Sequence, residues 1–180
     1  MNLQKLFEMQ SKLDTHIEKE HPRDPGEDRL AKKILALQVE LGELANEWRG
    51  FKFWSHDQEP RYELYDEDEF SLLGDLFEQE YPLLEEYVDC LHFILSIGLE
   101  CGLEKYYTTF LPFASYPDDV TKQFNAVFWF ANQMEHDDYY EGLVNNFLGL
   151  GEMLGFTWDQ IEQAYMKKNA INHERQEQGY

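Results

Sequence analysis

The sequence predicts an all-α protein that folds as a helical bundle. Three observations predict the helical class. Apolar side chains recur at steps of three and four along most of the chain, proline and glycine fall between those runs, and no segment of any length has the two-residue period of a strand. The chain of 180 residues is 43% hydrophobic and 16% aromatic, which is enough for one packed domain over 1–180.

Each helix is predicted from its own run of apolar positions. Residues 3–17 predict a first helix that ends before Pro22, and residues 29–49 predict a second helix that Gly50 closes. Residues 82–102 are apolar nearly all round, which is typical of a buried central helix. The remaining helical patterns cover 120–134, 139–154 and a last helix that runs from a capping box at Thr157 and Gln160 to Gly179.

The charge is strongly negative, with 15 Lys and Arg against 36 Asp and Glu and a net charge of −21. Such a chain has no general attraction for nucleic acid or for an anionic membrane, and we expect neither as a partner. Much of the surplus acid lies in 55–80, which reads as a solvated loop with a weakly helical part after Ser71. The two cysteines form no disulfide or zinc pattern, and no run is long enough to span a membrane, so we expect a cytoplasmic protein.

Two pairs of carboxylates predict a metal site. Glu40 and Glu43 lie one helical turn apart in the second predicted helix, and Glu86 and Asp89 do the same in the third. Both helices are otherwise apolar, and an unpaired charge there is costly. Four converging carboxylates suit a hard divalent cation that binds phosphates, so we expect Mg²⁺, with Mn²⁺ as a possible substitute. One such pair alone is as compatible with an ordinary exposed helix face.

Two further groups of residues suggest how a nucleotide is bound. Gln10 and Asp14 interrupt the apolar stripe of the first helix, where they are either polar edge positions or a donor and an acceptor for a base such as uracil. Basic residues near the end of the last helix either offset the helix dipole or bind phosphates. The residues concerned are Lys168, Asn172 and Arg175, with Lys52 as a further cation and Trp54 beside it, which is either core or a stacking surface for the base.

Read together, four blocks resemble the dimeric, all-α dUTPase family, a member of the wider MazG-like group of nucleoside triphosphate pyrophosphatases. These blocks are Leu6-Phe7-x-Met9-Gln10-x-x-Leu13-Asp14, VELGELANEWRGFKFWS, EEYVDCLHFILSIGLE and the closing KKNAINHERQEQGY. They cover both ends and the middle of the chain. The acidic segment and residues 103–157 carry little of the resemblance.

The resemblance implies a Mg²⁺-dependent dUTP diphosphatase that releases dUMP and pyrophosphate after a metal-activated water attacks the α-phosphorus. It implies that Glu43 orients or deprotonates the water, and that the protein is a homodimer. It also implies three sets of binding residues: Glu40, Glu43, Glu86 and Asp89 for the metal, Gln10, Asp14 and Trp54 for the base, and Lys52, Lys168, Asn172, Arg175 and Tyr180 for the phosphates.

Two alternatives remain open at this point. The family position that Asp14 occupies is often an amide, and a carboxylate there could accept from the amino group of cytosine. That favours a broader pyrophosphatase or one directed to dCTP. A binding protein whose acidic surface mimics nucleic acid is the second alternative, although its charges would be expected along an outer face and not within apolar helices.

Overall fold

The computed structural model describes residues 3–60, 81–106, 109–134 and 136–179. Within these ranges the chain forms helices and no strand, which confirms the all-α class. The predicted acidic loop after residue 60, with its weakly helical part, lies outside the described residues. The helices are α1 (Gln4–Glu20), α2 (Arg29–Trp48), α3 (Pro82–Glu100), α4 (Val120–Asn132), α5 (Tyr140–Met153) and α6 (Trp158–Glu177), with a short 3₁₀ turn at Asp137–Tyr139 before α5.

The helix ends follow local chemistry. The Asp28 carboxylate accepts a hydrogen bond from the backbone N–H of Ala31 and caps α2, and Thr157 forms the predicted capping box with Gln160 at the start of α6. The prediction that Gly50 ends α2 is wrong in detail. Arg49 takes the left-handed conformation at φ 65°, whereas Gly50 lies so close to the ring of Trp48 that a Cβ there would overlap it.

Helix α3 is the central element, as its uniformly apolar sequence predicts. It contacts α1, α2, α5 and α6, and its side chains are buried on nearly every face. Tyr87 is an example: its ring stacks on Phe147 with centroids 4.3 Å apart, and its hydroxyl donates to the Phe147 carbonyl at 3.1 Å. The polar residues that α3 presents to a neighbour are therefore held by a rigid, packed scaffold.

Helices α1 and α6 pack against each other and against α3. Near their ends, Nδ1 of His16 lies 2.9 Å from Nδ1 of His173, a hydrogen bond that joins the two helices. The helices contribute to one hydrophobic core, although the prediction of a single domain over 1–180 stays a prediction. None of the helices in the described ranges is long and apolar enough to cross a membrane. Both cysteines, Cys90 and Cys101, are free thiols.

Candidate active site

Three of the four predicted metal ligands meet between α2 and α3. Glu40 and Glu43 lie one turn apart on α2, and Glu86 faces them from α3. One carboxylate oxygen from each of the three lies within 4.8 Å of the others. Glu40 and Glu86 are half-buried and Glu43 is exposed, so the cluster opens to solvent on the side of Glu43.

The electrostatics of this cluster suit a cation. Burial raises the pKa of Glu86 to about 7, and the neighbouring charges of Asp89, Glu40 and Glu43 add to the effect. Burial and the charges of Asp89 and Glu43 also raise the pKa of Glu40. The Oε2 atom of Glu86 is buried and has no hydrogen-bond partner among the described residues. An oxygen-rich group of this kind, with an unsatisfied buried oxygen, fits a hard divalent ion such as Mg²⁺.

Asp89, the fourth predicted ligand, is held by a lysine. Its Oδ2 atom lies 2.7 Å from Nζ of Lys168 on α6, and the same ammonium lies 2.7 Å from Oε1 of Glu85. Burial raises the pKa of Asp89, and the hydrogen bond and charge of Lys168 oppose that rise. Asp89 thus sits at the junction between the carboxylates and the predicted phosphate-binding helix.

A cavity of about 500 Å³ begins beside Glu40 and Asp89 and extends between α1, α2, α3 and α6. Its volume is in the range of small-molecule sites. Asn172 and Arg175 line it from α6, and Arg29, Lys32 and Lys33 line it from α2. The side chains that line its wall at α1 and α3 include Gln10, Leu13, Asp14, Ile17, His92, Phe93 and Ser96.

A hydrogen-bonded network fixes the polar side chains at this wall. The amide nitrogen of Gln10 donates to Oδ1 of Asp14 at 2.7 Å, which leaves the Gln10 amide oxygen as the acceptor for its other neighbours. That oxygen accepts from the hydroxyl of Tyr165 at 2.7 Å and lies 2.8 Å from Nδ1 of His92. His92 must therefore carry its proton on Nδ1.

The second nitrogen of His92, a residue that lines the cavity, is a buried acceptor. Burial lowers the pKa of His92 to about 3, and the charge of Lys168 adds to this, so the ring is neutral near pH 7. With the proton on Nδ1, Nε2 carries a lone pair. This atom is buried and has no hydrogen-bond partner in the described parts of the chain. The ring also stacks on Tyr165 with centroids 4.1 Å apart, which fixes its orientation.

Asp14 is engaged on both oxygens. Besides the Gln10 amide at Oδ1, its Oδ2 atom accepts from the Ser96 hydroxyl at 2.6 Å and lies 3.4 Å from the ammonium of Lys33. Lys33 also contacts Glu100 at 2.9 Å. Three donors from α1, α2 and α3 thus converge on one carboxylate.

Other predicted site residues lie apart from this cavity. Lys52 follows α2, and its ammonium donates to the side chain of Asn46 at 2.6 Å. Asn46 lies one helical turn after Glu43 on α2. Trp54 is 66% exposed and packs edge-on against Phe51 and Phe53. Neither residue is among those that line the cavity in the described chain. Tyr180 lies outside the described residues.

The sequence pattern assigns no role to three residues that line the cavity, His92, Ser96 and Lys33. It assigns none to Tyr165 either, which contacts the lining residues Gln10 and His92. Three of these four residues carry a detectable signal in the sequence. His92 and Ser96 follow Asp89 at steps of three and four, and Lys33 precedes Glu40 by two turns, so each shares a helix face with a predicted ligand. Tyr165 gave no such signal because its partners lie on other helices.

An all-α fold that gathers carboxylates from two helices beside a cavity with basic and polar walls defines a class of hydrolase that acts on nucleotide phosphates. A family model described as dUTPase matches residues 2–70 and 78–180. The chain therefore belongs to the all-α dUTPase family, and it is a dUTP diphosphatase. No curated protein matches this chain.

Proposed function

We propose that the protein hydrolyses dUTP to dUMP and pyrophosphate in a Mg²⁺-dependent reaction, by attack of water on the α-phosphorus. Mn²⁺ is the expected substitute. The observation that carries this proposal is the meeting of Glu40, Glu43 and Glu86 within 4.8 Å, beside a cavity of about 500 Å³. This arrangement lets the phosphates lie at the carboxylates while the nucleoside occupies the cavity.

Glu40, Glu43, Glu86 and Asp89 would hold the ion or ions. When bound, Mg²⁺ neutralises charge on the phosphoryl oxygens and lowers the pKa of coordinated water. The protein's part is to keep these carboxylates close together despite their mutual repulsion. The packing of α2 against α3 does so, and the unsatisfied Oε2 atom of Glu86 supports a role as ligand.

Glu43 is the proposed catalytic residue. It is the exposed member of the three-carboxylate cluster, so its side chain can reach a water molecule that enters from solvent. A carboxylate in this position orients the attacking water and accepts its proton.

The phosphates are proposed to lie along the carboxyl-terminal half of α6. Arg175 and Asn172 line the cavity there, and the Lys168 ammonium stands beside Asp89. Because the net charge is −21, these few cations are important for an anionic substrate. Lys52 and Tyr180 are proposed as further phosphate ligands. Lys52 lies at the end of α2 beyond Glu43, which is compatible with that role.

The base is proposed to bind at the wall that carries Gln10, Asp14 and His92, with Trp54 as a stacking partner. The Gln10 amide uses one N–H on Asp14 and retains a second for a ring carbonyl, while Nε2 of His92 accepts from a donor on the nucleoside. Asp14 already accepts from Gln10, Ser96 and Lys33. A cytosine amino group would have to compete with these donors, which favours dUTP over the dCTP alternative.

We also propose a homodimer in the cytoplasm. Leu35 and Val39 lie one turn apart on α2 and are 62% and 51% exposed, which is unusual for neighbouring aliphatic side chains and supports a contact with a second chain.

The test is pyrophosphate release from dUTP, dCTP, dTTP and UTP, with Mg²⁺ and with excess chelator. We expect release only with Mg²⁺, and a kcat/KM for dUTP more than about tenfold above that for the other nucleotides. Glu43→Gln is expected to lower kcat by about 10²- to 10⁴-fold. Glu162→Gln, an equal charge change at a residue of α6 that pairs with Lys5, is the control and should keep full activity.

Two results would contradict the proposal. Unchanged turnover in Glu43→Gln would remove the role assigned to that residue. A preference for dUTP below tenfold would move the protein to the broader-specificity alternative while leaving the metal site in place.

A further inference from the structure

Lys168 lies between two carboxylates that are not equivalent. Its Nζ atom is 2.7 Å from Oδ2 of Asp89 and 2.7 Å from Oε1 of Glu85, and these two residues are one turn apart on α3. The side chains of Lys168 and Asp89 are mostly buried, at 10% and 17% exposure, whereas that of Glu85 is 52% exposed. Burial lowers the pKa of Lys168, but the hydrogen bonds that its ammonium donates to Asp89 and Glu85, with the charges of these carboxylates, outweigh this and raise it, so the lysine is charged.

The two carboxylates also differ in their relation to the metal site. Asp89 adjoins the cluster: it lines the same cavity as Glu40, and its charge raises the pKa of both Glu40 and Glu86. Glu85 is not part of the group formed by Glu40, Glu43 and Glu86. Successive residues on a helix point about 100° apart, so Glu86 turns toward α2 while Glu85 turns toward Lys168 on α6.

A divalent ion at the cluster and the Lys168 ammonium compete for Asp89. If Asp89 were the only partner of Lys168, Asp89 would have to leave the ammonium in order to bind the ion. The buried ammonium would then be unpaired, which is costly. Glu85 removes this cost, since it keeps a carboxylate on the ammonium when Asp89 turns to the ion.

We propose that Glu85 is a positioning residue, which holds Lys168 on α3 and so allows Asp89 to bind a divalent ion while the lysine stays beside the phosphates. This inference rests on the proposed function, because it takes Asp89 as a metal ligand. It assigns Glu85 a role that its exposure would not suggest. Without Glu85, the ammonium is held by Asp89 alone, and the protein binds the ion more weakly.

The experiment measures the Kd for Mn²⁺ by titration, from the electron paramagnetic resonance signal of the free ion, in the absence of nucleotide. Glu85→Gln is expected to raise this Kd about fivefold. The same substitution is then made in Lys168→Met, in which an apolar side chain of similar length replaces the lysine. There we expect Glu85→Gln to change the Kd by less than about twofold, because the lysine through which Glu85 acts is missing.

Glu162→Gln is the matched control, since it removes the same charge from an ion pair with Lys5 that has no contact with Asp89. Glu85→Asp keeps the charge on a shorter side chain and should restore part of the Mn²⁺ affinity. Circular dichroism of each variant verifies that the helices are intact.

Equal losses of Mn²⁺ affinity on the two backgrounds would overturn the inference, because Glu85 would then act through its charge and not through Lys168. No loss on either background would overturn it as well. A wild-type chain that binds no Mn²⁺ would sink the proposed metal site and this inference with it. A chain that binds Mn²⁺ with the expected coupling but leaves dUTP intact would uphold the role of Glu85 and contradict only the proposed catalysis.

Discussion

Glu86 combines burial with three acidic neighbours, and its ionisation therefore depends on pH near neutrality. Its pKa is raised from an ordinary 4.5 to about 7. The folded state consequently holds a proton on Glu86 over a range where the unfolded chain has lost it. The stabilising effect of this proton is fully present below about pH 4.5 and is lost as pH rises through about 7.

We therefore predict that, with chelator present, this group makes the protein less stable at pH 8 than at pH 6. Glu86→Gln, which mimics the protonated side chain, should reduce the difference. The measurement is Tm by differential scanning fluorimetry at both pH values. The control is Glu162→Gln, which should keep the wild-type dependence on pH, and an unaltered difference in Glu86→Gln would contradict the prediction.

Mg²⁺ should oppose this pH dependence, because an ion binds only the ionised carboxylates. We predict that saturating Mg²⁺ raises Tm more at pH 8 than at pH 6 in the wild-type protein. Glu86→Gln should abolish most of that gain. A gain from Mg²⁺ that is equal at the two pH values would argue against Glu86 as a ligand.

At the scale of single residues, the sequence predicts what depends on one helix and misses what depends on several. Glu40 and Glu43 can be paired from their spacing alone, and so can Glu86 and Asp89. The acceptor at Nε2 of His92 could not be found this way, since it requires Gln10 of α1 and Tyr165 of α6 to fix the proton on Nδ1. Lys168 was predicted to bind phosphates, but its pairing with Glu85 appears only when α3 and α6 are in contact.

At the scale of elements, the fit between α5 and the segment before α4 depends on a glycine. A Cβ at Gly149 would overlap the backbone carbonyl of Phe113, and the segment is held there by a hydrogen bond from Phe113 N–H to the Asn145 carbonyl at 2.9 Å. A Cβ at Gly142, two turns earlier on α5, would instead meet a side chain, the ring of Phe130, and not backbone.

We predict that Gly149→Ala lowers the free energy of unfolding by about 1–3 kcal/mol, because backbone must shift to accept the methyl group. Gly142→Ala is the matched control and should change it by less, since alanine's higher helix propensity, about 1 kcal/mol, offsets the ring movement. Urea denaturation followed by circular dichroism measures both. Equal losses of unfolding free energy in the two variants would contradict the prediction, because the backbone at Phe113 would then move as easily as the side chain of Phe130.

Helix bounds were predictable within a few residues wherever apolar periodicity and end signals coincide, as at Asp28 and Thr157. The exception at Arg49 has a physical cause. The bulky ring of Trp48 folds over the next turn and occupies the space that a side chain at Gly50 would need, so glycine is required there for close approach and not for a left-handed backbone.

At the scale of the whole molecule, the proposed dimer gives a prediction for solution mass. Wild-type protein should elute with twice the mass of one chain in size-exclusion chromatography with light scattering. Val39→Lys places a charge on the exposed aliphatic face of α2 and is expected to shift the mass to that of a single chain. Leu111→Lys, at a residue 73% exposed and outside α2, should remain dimeric. A wild-type protein of single-chain mass would contradict the proposal.

The position of α3 has a consequence for how long the folded protein would resist unfolding and proteolysis. The helix that contacts α1, α2, α5 and α6 is also the one that supplies Glu86 and Asp89. An ion held between α2 and α3 would favour the native state over the unfolded one by mass action, by an amount that grows with the logarithm of the ion concentration relative to Kd. Chelation would then act as a mild denaturant, and the supply of free Mg²⁺ would govern the lifetime of the enzyme against proteolysis along with its rate of turnover.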